Sequence, residues 1–382
     1  MNVLEAVQSG FAGLLLGVTN FTPAHVVMIA IGGLLLYLGI RRGFEPLLLV
    51  PIGFGAILVN LPLTGFMEKG GILRTFYDAG VSNELFPLLI FIGIGAMTDF
   101  APLLERPSIL LLGAAGQFGI FLTLLLALGL KFTLLESVSI GIIGACDGPT
   151  AIYVAAKYAP HMLGSVSVAA YSYMSLVPLF QPPIMRALTT KREKEIVMAA
   201  GKRSVSKATK VLFPIAVTLL TAVIAPIGVP LMGMLMLGNL LKESGVVERL
   251  KQASEQEIAN IVTLLLGLSI GATMEADKFL RYQTMLVLIL GLIAIGLDTV
   301  MGVLFGKLMC ALSGGKVNPL IGAAGISAFP MAARVAQREG QRYNKKNHLL
   351  MHAMGANTGG QIGSVMAAAI MLSLLKGLGI GP

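Results

Sequence analysis

Residues 144–150 read Gly-Ala-Cys-Asp-Gly-Pro-Thr and place the carboxylate of Asp147 in a stretch that is otherwise apolar enough to cross a bilayer. An ionisable side chain at the membrane centre costs about 2.5 to 3.5 kcal/mol even on the mildest insertion scale, so it usually holds an ion or a proton. Gly148 and Pro149 break the helix there and free backbone carbonyls that help to coordinate a cation. The motif predicts a broken helix with a functional acid at its break.

The composition of the chain agrees with a membrane location. Its 382 residues are 55% hydrophobic and 12% charged, with a mean hydropathy of +0.84, whereas soluble domains are about 25% charged. The two cysteines and four histidines show no metal-ligand spacing, which argues against zinc, haem or a disulfide framework. The net charge of +9 is explained by basic cytoplasmic loops, so no nucleic acid partner is expected.

Counting about 20 apolar residues per span predicts an all-α polytopic membrane protein with about eleven spans. A leading helix near 24–40 precedes two runs of five spans. The first run covers 46–65, 85–104, 107–130, 135–157 and 163–188, and the second covers 211–241, 258–276, 282–310, 318–336 and 347–376. This pattern predicts an N-terminal helix (1–45), a first repeat (46–190), a connector (191–210) and a second repeat (211–382).

The connector is strongly basic, which predicts that it lies in the cytoplasm. Eleven spans then place the N-terminus in the cytoplasm and the C-terminus outside the cell (inner) membrane. The basic residues of the connector are Lys191, Arg192, Lys194, Lys202, Arg203, Lys207 and Lys210.

The two runs resemble each other in sequence. An odd number of spans per repeat inverts the second copy, and inverted repeats typically form transporters with ion sites near the midplane, between broken helices. We therefore expect the broken segments around Asp147 and Ser327 to meet there. The aligned pairs are Pro51–Asn60 with Pro230–Asn239, Gly95–Asp99 with Gly271–Glu275, and Gly144–Tyr153 with Gly325–Arg334.

The broken segments predict one polar pocket. Carboxylate, hydroxyl and amide oxygens are hard ligands that suit Na+ or a proton. Arg334 offers a fork of donors for a carboxylate or a carbamate-like anion. The residues expected in this pocket are Asp147, Thr150, Asn318, Ser327 and Arg334.

Each of these residues also has a structural explanation. Asp147 can cap a half-helix, and Arg334 can snorkel to the surface as its neighbouring arginines do. Ser327 and Asn318 can each cap the broken helix to which they belong. The sequence leaves these alternatives open.

Three further polar positions lie in apolar helices. Tyr173 in Tyr171–Tyr173 and Asn357 in Gly355–Gly360 are expected to help form the cation or proton site. Alternatively, they bond across closely packed helices. Asp298 is a third buried position, and the sequence assigns it no role.

At these residues the chain resembles the membrane beta subunit of the biotin-dependent sodium-pumping decarboxylases, the group that includes oxaloacetate, glutaconyl-CoA, methylmalonyl-CoA and malonate decarboxylases. The likeness extends from about Gly71 to Leu375. It is carried by Asp147–Thr150, Tyr171–Tyr173, Asn318–Gly322, Ser327, Pro330, Arg334 and the run that holds Asn357.

The resemblance implies a division of labour. A carboxyltransferase (alpha) subunit moves a carboxylate onto biotin, and a biotin carrier protein or domain presents carboxybiotin to this chain. Here CO2 leaves, a proton is consumed and Na+ is exported. A small membrane-anchor subunit and lipid are further expected partners, and a homo-oligomer is left open.

The resemblance also implies which positions are functional. We hypothesise that Arg334 and Ser327 hold the carboxybiotin of the partner, and that Tyr173 or Ser327 relays the proton. Competition of Na+ and a proton for Asp147 would couple the two fluxes. The catalytic set is thus Arg334, Tyr173, Ser327 and Asp147, and the Na+ set is Asp147, Asn318, Asn357 and Thr150.

A different class of function fits the same features. A stand-alone secondary transporter would exchange Na+ or H+ with a carboxylate and perform no chemistry. Dependence on a biotinylated partner distinguishes the two functions.

Overall fold

A computed structural model describes residues 16–17, 19–199 and 205–380, so Lys202 and Arg203 of the connector lie outside the described residues. The described residues form helices and turns, without a strand. The first ten α-helices are α1 (Pro23–Arg42), α2 (Pro46–Val59), α3 (Ile72–Phe76), α4 (Leu85–Met97), α5 (Ala101–Glu105), α6 (Leu110–Ala115), α7 (Phe118–Gly129), α8 (Leu134–Gly141), α9 (Gly148–Tyr158) and α10 (Leu163–Leu188). The others are α11 (Lys191–Lys194), α12 (Lys207–Ile224), α13 (Val229–Ser244), α14 (Glu248–Ala253), α15 (Ala259–Ala272), α16 (Ala276–Phe279), α17 (Tyr282–Leu312), α18 (Met331–Tyr343) and α19 (Leu350–Gly377).

Six helical stretches of the described chain are long and apolar enough to cross a membrane, and the pair formed by Ile72–Val81 and α4, bent by 62° at its break, passes the same test when taken together. This confirms an all-α membrane protein. The six stretches are Pro23–Arg42, Pro107–Gly129, Pro160–Leu188, Lys207–Ile224, Tyr282–Leu312 and Leu350–Gly377.

Helix α10 defines the two faces of the molecule. Its 26 residues extend over about 39 Å at 1.5 Å per residue. His161 precedes its first turn, and the Leu188 carbonyl at its other end accepts a hydrogen bond from Lys307 Nζ at 3.0 Å. We call the side that holds residues 189–199 the connector face, and the side that holds His161 the opposite face.

Residues 134–158 form a re-entrant hairpin, hairpin A. Helix α8 and the 3-10 segment Ile142–Ala145 enter from the opposite face, Cys146 turns the chain with φ 54°, and α9 returns beside α8. Glu136 Oε1 near the first end lies 2.8 Å from His161 Nε2 just beyond the second. Both ends are therefore on one face, and the predicted span at 135–157 was wrong.

Residues 318–344 form a second re-entrant hairpin, hairpin B, which enters from the connector face. The 3-10 segment Pro319–Gly325 leads to its tip and α18 returns beside that segment. Asn318 Nδ2 donates to the Ile196 carbonyl at 2.9 Å, and Asn344 Nδ2 donates to the Glu195 carbonyl at 3.1 Å. Both ends are held by the connector, so the predicted span at 318–336 was also wrong.

The tips of the two hairpins meet, as the sequence predicted. The Ser327 N–H of hairpin B donates to the Ala145 carbonyl of hairpin A at 3.1 Å. Helix α19 lies against both tips, since Ser364 Oγ donates to Asp147 and Asn357 Nδ2 donates to the Ile326 carbonyl. Backbone groups released by the two breaks are thus paired inside the protein.

The predicted span at 211–241 is two helices, α12 and α13, which are separated by the 3-10 turn Pro226–Gly228 and pack on each other. This and the two hairpins correct the predicted set of eleven spans. The start of α1 lines a cavity with Asn60 and Lys278 on the opposite face. Helix α19 starts at the connector, where Asn347 Nδ2 donates to the Lys194 carbonyl, and ends on the opposite face. The described ends therefore share a face, whereas the prediction separated the termini.

Two helix pairs pack in matching ways, α2 against α15 and α4 against α13. Asn60 Nδ2 donates to the Met274 carbonyl at 2.8 Å, and Asn239 Nδ2 donates to the Thr98 carbonyl at 3.2 Å. Donors and acceptors are both aligned positions of the two halves of the sequence. Gly271 permits the close approach of the first pair, since a Cβ there would lie 2.7 Å from the Ala56 nitrogen.

Candidate cation site between the hairpin tips

Asp147 lies at the tip of hairpin A, at the N-cap position of α9, and is only 3% exposed. Its Oδ2 accepts hydrogen bonds from Thr150 Oγ1 and from Ser364 Oγ, each at 2.8 Å. Among the described residues no lysine, arginine or histidine forms an ion pair with it. A buried carboxylate without a counter-charge is strongly unfavourable, so Asp147 requires a cation or a proton.

A cavity of about 200 Å³ lies in front of Asp147. Glu45, which precedes α2, and Met97, which ends α4, line the side of the cavity nearer the connector face. Most other walls are apolar, which strengthens any electrostatic interaction inside. The lining residues with polar side chains include Glu45, Asp147, Tyr171, Thr263, Ser327 and Gln361.

Buried oxygens without a partner lie at the hairpin tips and on the adjacent part of α19. Tyr171 Oη, Gln361 Oε1 and Asn357 Oδ1 have no hydrogen bond to the described residues, and these side chains are 2%, 2% and 0% exposed. Leaving a buried polar atom unsatisfied costs about 1 to 3 kcal/mol. Gln361 and Tyr171 line the cavity itself. The oxygen set therefore suits a hydrated alkali cation.

Thr150, Ser327 and Asn357 are brought to the tips, as predicted. Ser327 Oγ donates to the Gly360 carbonyl at 2.8 Å, and Asn357 Nδ2 donates to the Ile326 carbonyl. These two bonds fix the tip of hairpin B to α19. Thr150 is bonded directly to Asp147.

Asn318 and Arg334 are not brought into the predicted pocket. Asn318 caps its own 3-10 segment, because its Oδ1 accepts from the Leu320 N–H at 3.0 Å, and its amide nitrogen donates to the connector. Arg334 is exposed on α18, and neither residue lines the Asp147 cavity. The prediction of one pocket for all five residues is corrected accordingly.

Tyr173 also lies apart from the cavity. Its hydroxyl donates to the Leu288 carbonyl of α17, and its ring packs against Gly291. Tyr171, two residues earlier, lines the cavity, and its ring lies against Gly148 beside Asp147. The two tyrosines therefore face different surroundings.

One pattern in the sequence does indicate Gln361 and Ser364, which were not predicted for the site. Asn357, Gln361 and Ser364 stand at i, i+4 and i+7 of an apolar helix, a spacing that places them on one face. All three are buried at the tips.

Glu45 has no comparable sequence signal. It is half-buried in the left-handed region with φ 36° and ψ 59°. Burial raises the pKa of its carboxyl above the ordinary value.

Asp298 is buried elsewhere, on α17 where this helix packs against α7 and hairpin A. Its Oδ1 accepts from the Gly119 N–H, its Oδ2 has no partner among the described residues, and Gly144 makes room for the carboxyl group. Asp298 does not line the Asp147 cavity.

Comparison with known proteins identifies the family. Residues 24–375 match the family model described as the Na+-transporting oxaloacetate decarboxylase beta subunit. The chain is 53% identical over 360 residues to the methylmalonyl-CoA decarboxylase subunit beta of Veillonella parvula, with 94% of this chain and 95% of that one covered.

Two other relatives are similar to the chain over nearly their whole length. The glutaconyl-CoA decarboxylase subunit beta of Acidaminococcus fermentans is 52% identical over 361 residues, with coverage of 94% and 96%. The oxaloacetate decarboxylase beta chain of Haemophilus ducreyi is 46% identical over 435 aligned positions, with coverage of 98% and 99%. The chain therefore belongs to the family of the Na+-transporting oxaloacetate decarboxylase beta subunit, which confirms the resemblance seen in its motifs.

Proposed function

We propose that this chain decarboxylates carboxybiotin delivered by a partner and exports Na+ through the cavity at Asp147. The family makes the chain the membrane subunit of a sodium-translocating decarboxylase. The observation that carries the finer proposal is the unpaired buried carboxylate of Asp147, which faces a cavity among unsatisfied oxygens.

The partners belong to this proposal. Three relatives are named for three different parent acids, while their beta subunits share about half of their residues with this chain. A separate carboxyltransferase (alpha) subunit therefore selects the acid, and a biotin carrier protein or domain shuttles the carboxylate. A small membrane-anchor subunit completes the complex.

The proposed architecture consists of two inverted repeats, and each repeat has five spans and one hairpin. Hairpin A enters from the opposite face and hairpin B from the connector face. The matched bonds of Asn60 and Asn239 support the same relation. Helices α1 and α12 then become equivalent first spans, so the repeats begin earlier than 46 and 211, and the chain has ten spans.

The connector face is the proposed cytoplasmic side of the cell membrane. Basic residues concentrate on cytoplasmic loops, and most of the described basic residues lie on this face. With ten spans, the start of α1 and the end of α19 lie on the side of the membrane away from the cytoplasm. The basic residues of the opposite face are Lys69, Arg74, Lys131, Lys157, Lys278, Arg281 and Lys376.

The proposed Na+ site uses the hairpin tips and α19. Asp147 supplies the charge, and Thr150, Ser364, Gln361 and Asn357 supply neutral oxygens. Asn318 leaves the Na+ set, because its bonds hold the base of hairpin B to the connector. Its contribution is to position the tip.

The proposed chemistry joins proton and Na+ movement at Asp147. Arg334, exposed on α18 of hairpin B, orients the carboxylate of incoming carboxybiotin. The bond from the ureido nitrogen to the carboxyl carbon breaks, CO2 leaves, and the nitrogen takes a proton relayed from Asp147 through Ser327 or a tyrosine. The carboxylate left on Asp147 then binds Na+, so each reaction prepares one transport event.

Replacing the acid tests this proposal. The variant Asp147→Asn in the assembled complex should lose Na+-stimulated decarboxylation and Na+ uptake into proteoliposomes by at least about 100-fold, because the neutral amide neither donates the proton nor balances Na+. Exposed Asp277→Asn on the opposite face is the matched control. Full coupled activity of Asp147→Asn would refute the proposal, and carboxylate transport by the chain alone in liposomes would favour the stand-alone transporter.

A further inference from the structure

Glu45 occupies an unusual backbone conformation at the connector face. It joins α1 to α2 with φ 36° and ψ 59°, in the left-handed region that favours glycine. Gly43 adopts the same region two residues earlier without a steric penalty. A strained backbone held by a charged residue is a reason to look for function at that side chain.

The Glu45 carboxyl group also lacks a partner in the part of the chain that the structure describes. It is half-buried, and among the described residues it has neither a hydrogen-bond partner nor an ion-pair partner. The nearest basic residues in sequence do not neutralise it, because Arg42 lies over the ring of Tyr37, 5.9 Å from its centroid, and Arg41 is exposed. A partly buried acid without a counter-charge is poorly explained by stability alone.

The side chain lines the same cavity as Asp147. Tyr171 lines this cavity too; its hydroxyl is buried and lacks a partner among the described residues, and its ring packs on Gly148 beside Asp147. Leu48, Ile90 and other apolar side chains form the remaining walls. Apolar walls around charges of one sign focus the field and concentrate counter-ions.

We propose that Glu45 is the entry residue of the cation path, a carboxylate at the connector-face mouth that captures hydrated Na+ and delivers it past Tyr171 to Asp147. This inference rests on the proposed function of Asp147. It assigns to Glu45 capture and local concentration of Na+, without a part in the chemistry.

The test is the Na+ dependence of decarboxylation by the assembled complex, compared for wild type, Glu45→Gln and Glu105→Gln. Glu105 is the matched control, since it lies half-buried on the connector face but does not line the cavity. Glu45→Gln should raise the Na+ concentration for half-maximal rate about threefold to tenfold, with the rate at saturating Na+ unchanged. Added choline chloride should shrink the difference, because salt screens the charge at the mouth.

A second variant separates charge from backbone conformation. Glu45→Gly relieves the strain yet removes the carboxylate, so its Na+ dependence should equal that of Glu45→Gln, while its melting temperature should equal or exceed that of wild type. Unchanged half-saturation in Glu45→Gln, or an equal shift in Glu105→Gln, would overturn the inference. If Glu45→Gln changes nothing while Asp147→Asn abolishes Na+ dependence, only this inference fails. If Asp147→Asn keeps its activity, the proposed function fails.

Discussion

At the scale of single residues, Asp147 combines burial with the absence of a counter-charge. Its hydroxyl partners come from its own helix and from α19, so a cation there would join hairpin A to the helix that also holds hairpin B. A carboxylate held by two hydroxyl donors is positioned but not neutralised. Such a group is suited to exchange one cation for another.

Ser364 is a direct test of this positioning. The variant Ser364→Ala removes one donor to Oδ2 and should weaken Na+ activation about tenfold or more, since a hydrogen bond to a charged group contributes about 1.5 to 3 kcal/mol. The measurement is half-maximal Na+ in the decarboxylation assay. Ser373→Ala, farther along α19 and without a hydrogen bond to Asp147, is the control. Equal Na+ dependence of the two variants would contradict the assigned role of Ser364.

Asp298 should behave differently from Asp147. In Asp298→Asn the amide oxygen still accepts from the Gly119 N–H, and the residue does not line the cavity, so half-maximal Na+ should remain within about twofold of wild type. Loss of Na+ activation in this variant would show that a second carboxyl group takes part.

The sequence predicted part of the site. Asp147, Thr150, Ser327 and Asn357 were predicted from polar groups near glycine and proline breaks, and the structure places them at the tips. Tyr173 differs because successive residues of an α-helix are about 100° apart, so Tyr171 and Tyr173 face different sides. Arg334 and Asn318 lie outside the predicted pocket because residues 318–344 form a hairpin. In a hairpin, the position of a residue along the sequence does not determine its depth in the membrane as it does in a continuous span.

At the scale of elements, the two hairpins explain why span prediction failed. Residues 135–157 and 318–336 are apolar and long enough for a span, and hydropathy does not record direction. Each of these segments turns back at its tip. The turn is possible because backbone groups without helical hydrogen bonds are paired there with the other tip and with α19. The glycine and proline breaks were visible in the sequence, whereas these pairing partners were not.

The close packing of α2 on α15 gives a stability prediction. Gly271→Ala should lower the melting temperature of the purified complex, because the added Cβ meets the α2 backbone and overpacking costs about 1 to 3 kcal/mol. Gly296→Ala in α17 has no neighbour within 4 Å of the added atom and should leave the melting temperature unchanged or raise it. Equal melting temperatures for both variants would contradict the close contact.

At the scale of the whole molecule, the two faces give a topology that accessibility measures directly. Single cysteines at exposed Lys69 and Gly379 should react with a membrane-impermeant thiol reagent from outside intact cells, and one at exposed Lys345 should react only after permeabilisation. These substitutions are Lys69→Cys, Gly379→Cys and Lys345→Cys. Protection of Lys69→Cys from the external reagent would support the eleven-span arrangement instead.

The fold class and the internal similarity could be predicted from composition and aligned motifs, because both are local properties of the sequence. The side of the membrane on which the termini and loops lie could not be predicted, since it depends on an exact count of membrane crossings. Two hairpins and the division of 211–241 at Pro226 changed that count. When the two hairpins are taken into account, most of the described basic residues lie on the connector face.

The most direct test of the central claim is equilibrium binding of radioactive Na+ to the purified complex and to its Asp147→Asn and Asp298→Asn variants. Saturable binding should be present in wild type and Asp298→Asn and absent in Asp147→Asn, since of these two aspartates Asp147 lines the cavity and Asp298 does not. Undiminished Na+ binding to correctly folded Asp147→Asn would contradict a cation site between the hairpin tips.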